Sequence, residues 1–216
     1  MSVYPSTAIS SFRRGGTLHN AQIDDWDNLE PCRVPLTSVT GSIWTDVHSE
    51  SLSTPAGATA PDLTQIDATG IYMNAFTGSG GVNETVSGAF EMPHGYAEGT
   101  DIYVHINVAP TTSPAGAAAA VWQLKWMWIN NEGVMSGPTT TAITHDLTGK
   151  IANTLGDVAI VTASGTGKRI NSRFVFTLTR LQNDAADTYT SPVFLSTIGA
   201  HIQLDTIGSR TRTSKF

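Results

Sequence analysis

The sequence has a single cysteine, few charged residues and no long apolar run. Cys32 cannot form a disulfide within the chain, so no covalent framework takes the place of a hydrophobic core. There is no run of about 18 apolar residues that could cross a membrane, and the first residues lack the apolar segment of a signal peptide. We therefore expect a chain that folds in a reducing cytosol and has no membrane partner.

Charge is scarce as well. Charged residues make up 14% of the 216 residues, against about a quarter in an average domain. The net charge is -6, with no dense group of Lys and Arg. Binding to nucleic acids depends on such groups to neutralise phosphates, so we expect no nucleic-acid partner. Thr and Ser are frequent and supply the polar surface, and Thr, being β-branched, favours strands.

The first part of the chain, residues 1–66, shows no sustained helix or strand period. A disordered tail is one interpretation. The scattered apolar residues Phe12, Trp26 and Trp44 favour another, an extended arm that docks on a partner or on the main domain. Residues 51–62, SLSTPAGATAPD, have the composition of a linker. We expect an N-terminal arm and linker over residues 1–66 and a single domain over residues 67–216.

From about residue 69 onward, short apolar runs alternate with turns rich in Gly and Pro. They predict eight strands, at residues 69–76, 84–92, 101–109, 119–130, 139–147, 157–164, 170–180 and 193–206. In the third of these, Ile102, Val104 and Ile106 share one face, and Tyr103 and His105 share the other. Eight strands with one apolar face each predict an all-β fold, an antiparallel β-sandwich of jelly-roll type.

Two strands are apolar on more than one face. Leu195 in the last strand and Met127 in the Trp-rich strand lie opposite the main apolar face. A second apolar face indicates contact with another subunit, and we expect a homo-oligomer, with a trimer preferred. Trp122, Trp126 and Trp128 share one face and are expected to fill the core. The candidate interface residues are Phe12, Trp26, Trp44, Tyr103, His105, Met127, Leu195 and His201.

Histidines and carboxylates raise the question of a metal site. His94, His105 and His201 could converge, and Glu98 or Asp101 could approach His105. We favour structural hydrogen bonds at these positions and expect no bound metal and no cofactor.

One metal-binding family resembles part of this region. Gly99 and His105 have the spacing that begins the cupin metal motif, a Gly, five residues and His-x-His. The resemblance is partial, because Asn107 stands at the second His and no Glu follows it.

Other catalytic patterns are incomplete. Residues 162–170, TASGTGKRI, lack the first Gly and the final hydroxyl of a phosphate loop and lead into a strand, so they predict a hairpin turn. No Gly-x-Ser-x-Gly nucleophile elbow is present. Asp184 and Asp187 lie in a turn, where they could cap the backbone or bind a cation weakly. We expect no catalytic residues and no enzymatic activity.

Four segments together resemble a family of β-rich virion proteins of tailed bacteriophages. They are MPHGYAEGTDIYVHI, VWQLKWMWINNEG, TLTRLQNDAADTY and HIQLDTIGSRTRTSK, and the resemblance covers about residues 70–214 and none of the arm. The resemblance implies a structural protein of the virion, assembled in the host cytoplasm. It could be a capsid cement or decoration protein, a head fibre or a tail component. In this interpretation the arm docks on the major capsid protein or on another virion protein.

Two alternatives remain open. The first is a tail-associated module that binds a receptor or a glycan, which requires exposed aromatic rings. The second is a metal enzyme of cupin type.

Overall fold

The regular structure of the described residues is built from β-strands. The computed structural model describes residues 42–49, 51–209 and 211. Within these ranges no helix has the length and hydropathy needed to cross a bilayer. The strands are β1 Ile43–His48, β2 Asp62–Gln65, β3 Tyr72–Phe76, β4 Glu84–Glu91, β5 Ile102–Pro110, β6 Ala119–Ile129, β7 Thr139–Asp146, β8 Gly156–Ala163, β9 Arg173–Arg180 and β10 Val193–Leu204.

The strands form two antiparallel sheets. Sheet A has the order β2-β3-β10-β5-β8, with β1 also paired to β10, and sheet B has the order β4-β9-β6-β7. If β3 to β10 are counted as strands one to eight, the two sheets run 1-8-3-6 and 2-7-4-5. This is the strand order of a jelly roll. The all-β fold predicted from the sequence is confirmed.

The core lies between the sheets and is formed by the faces that alternation assigns. Ile102, Val104 and Ile106 of β5 are fully buried there, as predicted. Trp122 and Trp128 are buried with them, and Trp126 packs at the margin of the core, where its ring stacks on Phe174 with centroids 5.2 Å apart. The Trp-rich strand therefore fills the sandwich and leaves no exposed row of indoles for a ligand.

Strand β10 corrects one expectation. Its register against β5 shifts between Leu195 and Thr197. The shift is a β-bulge, which reverses the alternation of faces along the strand. As a result Val193 and Leu195 face the same core as Ile198 and Ile202. Leu195 is 2% exposed and is a core residue of this chain, not the interface residue expected from the sequence. The bulge also explains the apparent second apolar face of this strand without a partner subunit.

The described part of the predicted arm and linker pairs with the sandwich. β1 extends along β10, with Ile43 opposite Leu204 and His48 opposite Gly199. β2 pairs with β3, and the segment between β1 and β2 touches sheet B through bridges from Ser53 and Thr59. Phe12 and Trp26 lie outside the described residues.

A buried ion pair closes one end of the sandwich. Arg180 ends β9, and Asp187 lies in the turn that follows; both side chains are completely buried. The guanidinium binds the carboxylate through two bonds, Nε to Oδ2 at 2.9 Å and Nη2 to Oδ1 at 2.8 Å. The backbone N–H of Val121 also donates to Asp187, at 3.0 Å. The cation that Asp187 binds is thus a side chain of the same chain.

The remaining donors of Arg180 reach the opposite sheet. Nη1 donates to the carbonyl oxygens of Phe76 and Ser191, both at 3.2 Å, and Nη2 donates to that of Tyr189 at 2.6 Å. Phe76 is the last residue of β3 in sheet A, and Ser191 lies just before β10 of the same sheet. A single guanidinium therefore joins sheet B to the place where β3 and β10 start to pair.

Removing the charge of one partner in this buried pair should lower the free energy of unfolding. Asp187→Asn leaves the buried guanidinium without its counter-charge, and we expect the free energy of unfolding in urea to fall by about 3–5 kcal/mol. The matched control is Arg173→Met. It breaks the Arg173–Glu91 pair, whose side chains are 59% and 41% exposed, and should cost less than about 1 kcal/mol. Equal losses of unfolding free energy in the two variants would contradict the larger contribution assigned to the buried pair.

A half-buried titratable group lies at the edge of sheet B. His145 of β7 pairs in register with the core residue Ala120, and its Nδ1 has no hydrogen-bond partner among the described residues. Burial lowers the pKa of His145, Lys150 lowers it further, and Asp146 opposes the change. The fold therefore favours the neutral imidazole.

This burial predicts a pH dependence of stability. As the pH falls, His145 is protonated in the unfolded chain at a higher pH than in the folded chain. Its contribution to the free energy of unfolding is therefore complete above about pH 6.5 and is lost as the pH falls toward the lowered pKa of the folded chain. We expect His145→Gln to reduce the loss of unfolding free energy between pH 7 and pH 5, measured by urea denaturation at each pH. An unchanged pH dependence would show that the ring is not held neutral.

Candidate functional site

The outward side chains of four neighbouring strands form one continuous surface on sheet A. Asp46, His201, Tyr103 and Thr162 lie in one row across β1, β10, β5 and β8. The next row places His105 beside Gly199 and opposite Ala159. We name this surface the outer-face patch, and its members are Trp44, Asp46, Tyr103, His105, Asp157, His201 and Gln203.

Two aromatic rings stand side by side in the patch. Trp44 is 44% exposed and Tyr103 is 42% exposed. Their ring centroids are 5.4 Å apart and the planes are inclined by 59°. Trp44 pairs in register with Gln203, and Tyr103 pairs with His201, so the two rings meet across β10. Together they present a broad apolar surface to solvent, and polar side chains surround it.

The polar half of the patch is centred on His201. Its Nδ1 is bonded to Oδ1 of Asp46, and its Nε2 lies 3.7 Å from Oδ2 of Asp157. The ring of His105 stacks on it with centroids 4.3 Å apart and planes 28° apart. The ring of His48 meets His105 edge-on at 6.3 Å. Four strands, β1, β10, β5 and β8, thus bring three imidazoles and two carboxylates together.

His105 is the buried member of this cluster. It faces outward from β5, as alternation predicts, yet the side chains above it leave it only 3% exposed. Its Nδ1 makes no hydrogen bond within the described part of the chain. Burial lowers the pKa of His105; Asp157 acts against this effect, and His201 adds to it. The surroundings of His105 therefore favour its neutral imidazole.

The other candidates from the sequence lie elsewhere. His94 is bonded to Ser209 and lines a separate groove of about 620 Å³ beside Glu91 and Arg173. Glu98 accepts the backbone N–H of Ile170 at 3.0 Å. Asp101 likewise accepts that of Gly165, at 3.0 Å. Both carboxylates thus bind backbone groups.

Met127 is half-buried on β6 of sheet B, away from the patch. The sequence did pair His105 with His201. It missed Asp46, Asp157 and Gln203, which reach the patch only through the pairing of β1 with β10 and of β5 with β8.

Comparison with known proteins finds structures of related type but no sequence family. No protein-family model and no curated protein sequence matches this chain. A xylan-binding module, CBM15, is 13% identical with a TM-score of 0.36, over 75% of this chain and 97% of that one.

Two further similar structures are larger proteins. The enzymatically active domain of tailspike protein 4 from bacteriophage CBA120 is 8% identical with a TM-score of 0.33, over 76% of this chain. The chain spans only 20% of that tailspike chain. The CBM22-1–GH10 modules of a Clostridium thermocellum xylanase, complexed with xylohexaose, are 11% identical with a TM-score of 0.33, over 78% of this chain and 27% of that one. At these values the likeness carries no argument about function, and none of the three is a capsid decoration protein.

Gly199 allows β1 and His105 to approach β10. A Cβ atom at this position would lie 2.6 Å from the carbonyl oxygen of Val47 and 2.8 Å from Cδ2 of His48. Because a backbone atom is one of the obstacles, no side-chain rotation can relieve the clash.

Gly199→Ala should therefore displace β1. We expect a loss of about 1–3 kcal/mol of unfolding free energy and a change in the fluorescence of Trp44, whose contact with Tyr103 depends on β1. Gly116→Ala is the control, because a Cβ there meets nothing within 4 Å. Identical behaviour of the two variants would show that β1 does not need this close approach.

Proposed function

We propose that this chain is a glycan-binding module and that the outer-face patch is its binding surface. The observation that carries the proposal is the pair of exposed rings, Trp44 and Tyr103, set 5.4 Å apart among polar side chains. The glycan-binding alternative requires exposed aromatic rings, and these two residues meet that requirement. They come from β1 and β5, whereas the indoles of the Trp-rich strand belong to the core.

The chemistry of the patch suits a sugar. A pyranose ring has an apolar face of C–H groups and a rim of hydroxyls. The two rings supply flat apolar surface with few rotatable bonds, so little side-chain entropy is lost on binding. Asp46, Gln203 and Thr162 supply oxygen acceptors and amide or hydroxyl donors next to the rings. A few polar groups around an apolar contact surface are what orient a small ligand.

The charges of the patch favour neutral glycans. Asp46 and Asp157 both lie in it, and the net charge of the chain is -6. An anionic polysaccharide would meet repulsion from both carboxylates. The groove beside His94 is a poorer candidate, because its lining residues include no Trp, Tyr or Phe.

The resemblance to bacteriophage virion proteins indicates where such a module would act. On a phage particle, a glycan-binding module would hold the virion to carbohydrate on the host surface. The capsid-decoration role, the trimer and the docking of the arm on the major capsid protein remain predictions from the sequence.

The proposal is tested with neutral polysaccharides. We expect the full chain to bind at least one member of a panel of xylan, β-glucan, mannan and dextran, with alginate as the anionic comparison, in affinity gels and calorimetry. Trp44→Ala and Tyr103→Ala should each weaken binding about tenfold or more, which corresponds to about 1.4 kcal/mol.

The matched control is Tyr72→Ala. Tyr72 is 55% exposed on β3 of the same sheet but lies outside the patch, so this variant should bind like the parent chain. A folded chain that is silent on a wide glycan array would refute the proposal. So would a loss of binding in Tyr72→Ala equal to that in Trp44→Ala.

A further inference from the structure

We propose that His105, His201 and Asp157 form a binding site for a divalent transition-metal ion of the Zn²⁺ type. One ring nitrogen from each histidine and one carboxylate oxygen lie within 4.8 Å of one another. Two imidazoles and a carboxylate are a ligand set that suits Zn²⁺. The inference is independent of glycan binding, and it revises the expectation of a purely structural contact at these histidines.

The three residues are held by the sheet. His201, His105 and Asp157 come from β10, β5 and β8, which are consecutive strands of sheet A. Their backbones are fixed by ladder hydrogen bonds, and the bulge between Val104 and His105 sets the register that brings β8 under the two rings. A ligand set on rigid strands is largely preorganised and needs only small side-chain movements to close on an ion.

The orientation of His201 indicates a cation between it and Asp157. Asp46 accepts from Nδ1, and in this tautomer the neutral form of the ring has its lone pair on Nε2. That nitrogen faces the carboxylate of Asp157 at 3.7 Å. A lone pair opposite a carboxylate is unfavourable unless a positive charge lies between them. A carboxylate on the far nitrogen is also how metal-binding histidines are usually oriented.

His105 supplies the second, independent observation. It is 3% exposed, and its Nδ1 has no hydrogen-bond partner among the described residues. Buried polar atoms in folded proteins are nearly always paired, so an unpaired imidazole nitrogen beside two other ligand groups calls for a missing partner. The ring lies against His201, with centroids 4.3 Å apart. A metal ion in the cluster would bind one ring nitrogen of His105.

The competing occupant is a proton. If Nε2 of His201 is protonated, the ring bridges Asp46 and Asp157 as an imidazolium, and no metal is needed there. This arrangement leaves His105 without a role, since its nitrogen would still lack a partner. A metal uses all three residues, whereas a proton uses only His201 and the carboxylates.

Zinc titration decides between them. The full chain, with any histidine tag removed and after treatment with EDTA, is titrated with ZnCl₂ by calorimetry, and Co²⁺ is added separately to record visible absorption bands. We expect one ion per chain, a rise in melting temperature with Zn²⁺, and a Co²⁺ spectrum of a site with nitrogen ligands. No saturable binding would mean that the cluster holds a proton only, and the proposal would fall.

Variants locate the site. Asp157→Asn changes a half-exposed side chain and should fold normally while it weakens zinc binding at least tenfold. His105→Ala should abolish binding, and Asp46→Asn, which removes only the orienting carboxylate, should weaken it about 10-fold to 100-fold. The control His94→Gln removes a histidine outside the cluster and should bind like the parent chain. Binding that survives Asp157→Asn and His105→Ala, or that is lost in His94→Gln, would place the ion elsewhere and overturn the proposal.

Discussion

The buried pair of Arg180 and Asp187 is the interaction on which the arrangement of the two sheets depends. A charge with no exposure to water must have its donors satisfied by protein, and Arg180 meets this requirement with one carboxylate and three carbonyl oxygens. Two of those carbonyls fix the ends of β3 and β10 against sheet B. The start of β10 pairs with β3 and β5, and its far half pairs with β5 and β1. The outer-face patch therefore lies on the far half of the strand whose beginning Arg180 anchors.

Much of the fold could be predicted from the sequence, because burial on one side of a strand produces a pattern with a period of two. β5 shows this pattern clearly, and its predicted inward residues Ile102, Val104 and Ile106 belong to the core. β1 has only half-buried inward residues and lies in a stretch rich in turn residues, so its pattern was too weak to recognise. The bulge in β10 is set by pairing with β5, and no local pattern in the sequence marks it.

The candidate site was harder to predict than the fold because its members are brought together by pairings distant in sequence. His105 and His201 could be proposed as neighbours because their strands are long and apolar. Asp46 pairs across 155 positions with His201, through a strand that the sequence did not reveal. Asp157 reaches the cluster only because a second bulge changes the register of β8 against β5. Carboxylates nearer in sequence, such as Glu98, were the more obvious candidates, but they bind backbone N–H groups.

β1 is an addition to a sandwich that is already closed by β3 to β10, and among the described strands it pairs only with β10. Val47 at the margin of the core is its main contribution to packing. Yet Trp44 and Asp46 of the same strand complete both halves of the patch. Substitutions in this short strand can therefore change the proposed binding surface at little cost to folding. In evolution or in engineering, the chemistry of this surface and the stability of the core would vary separately.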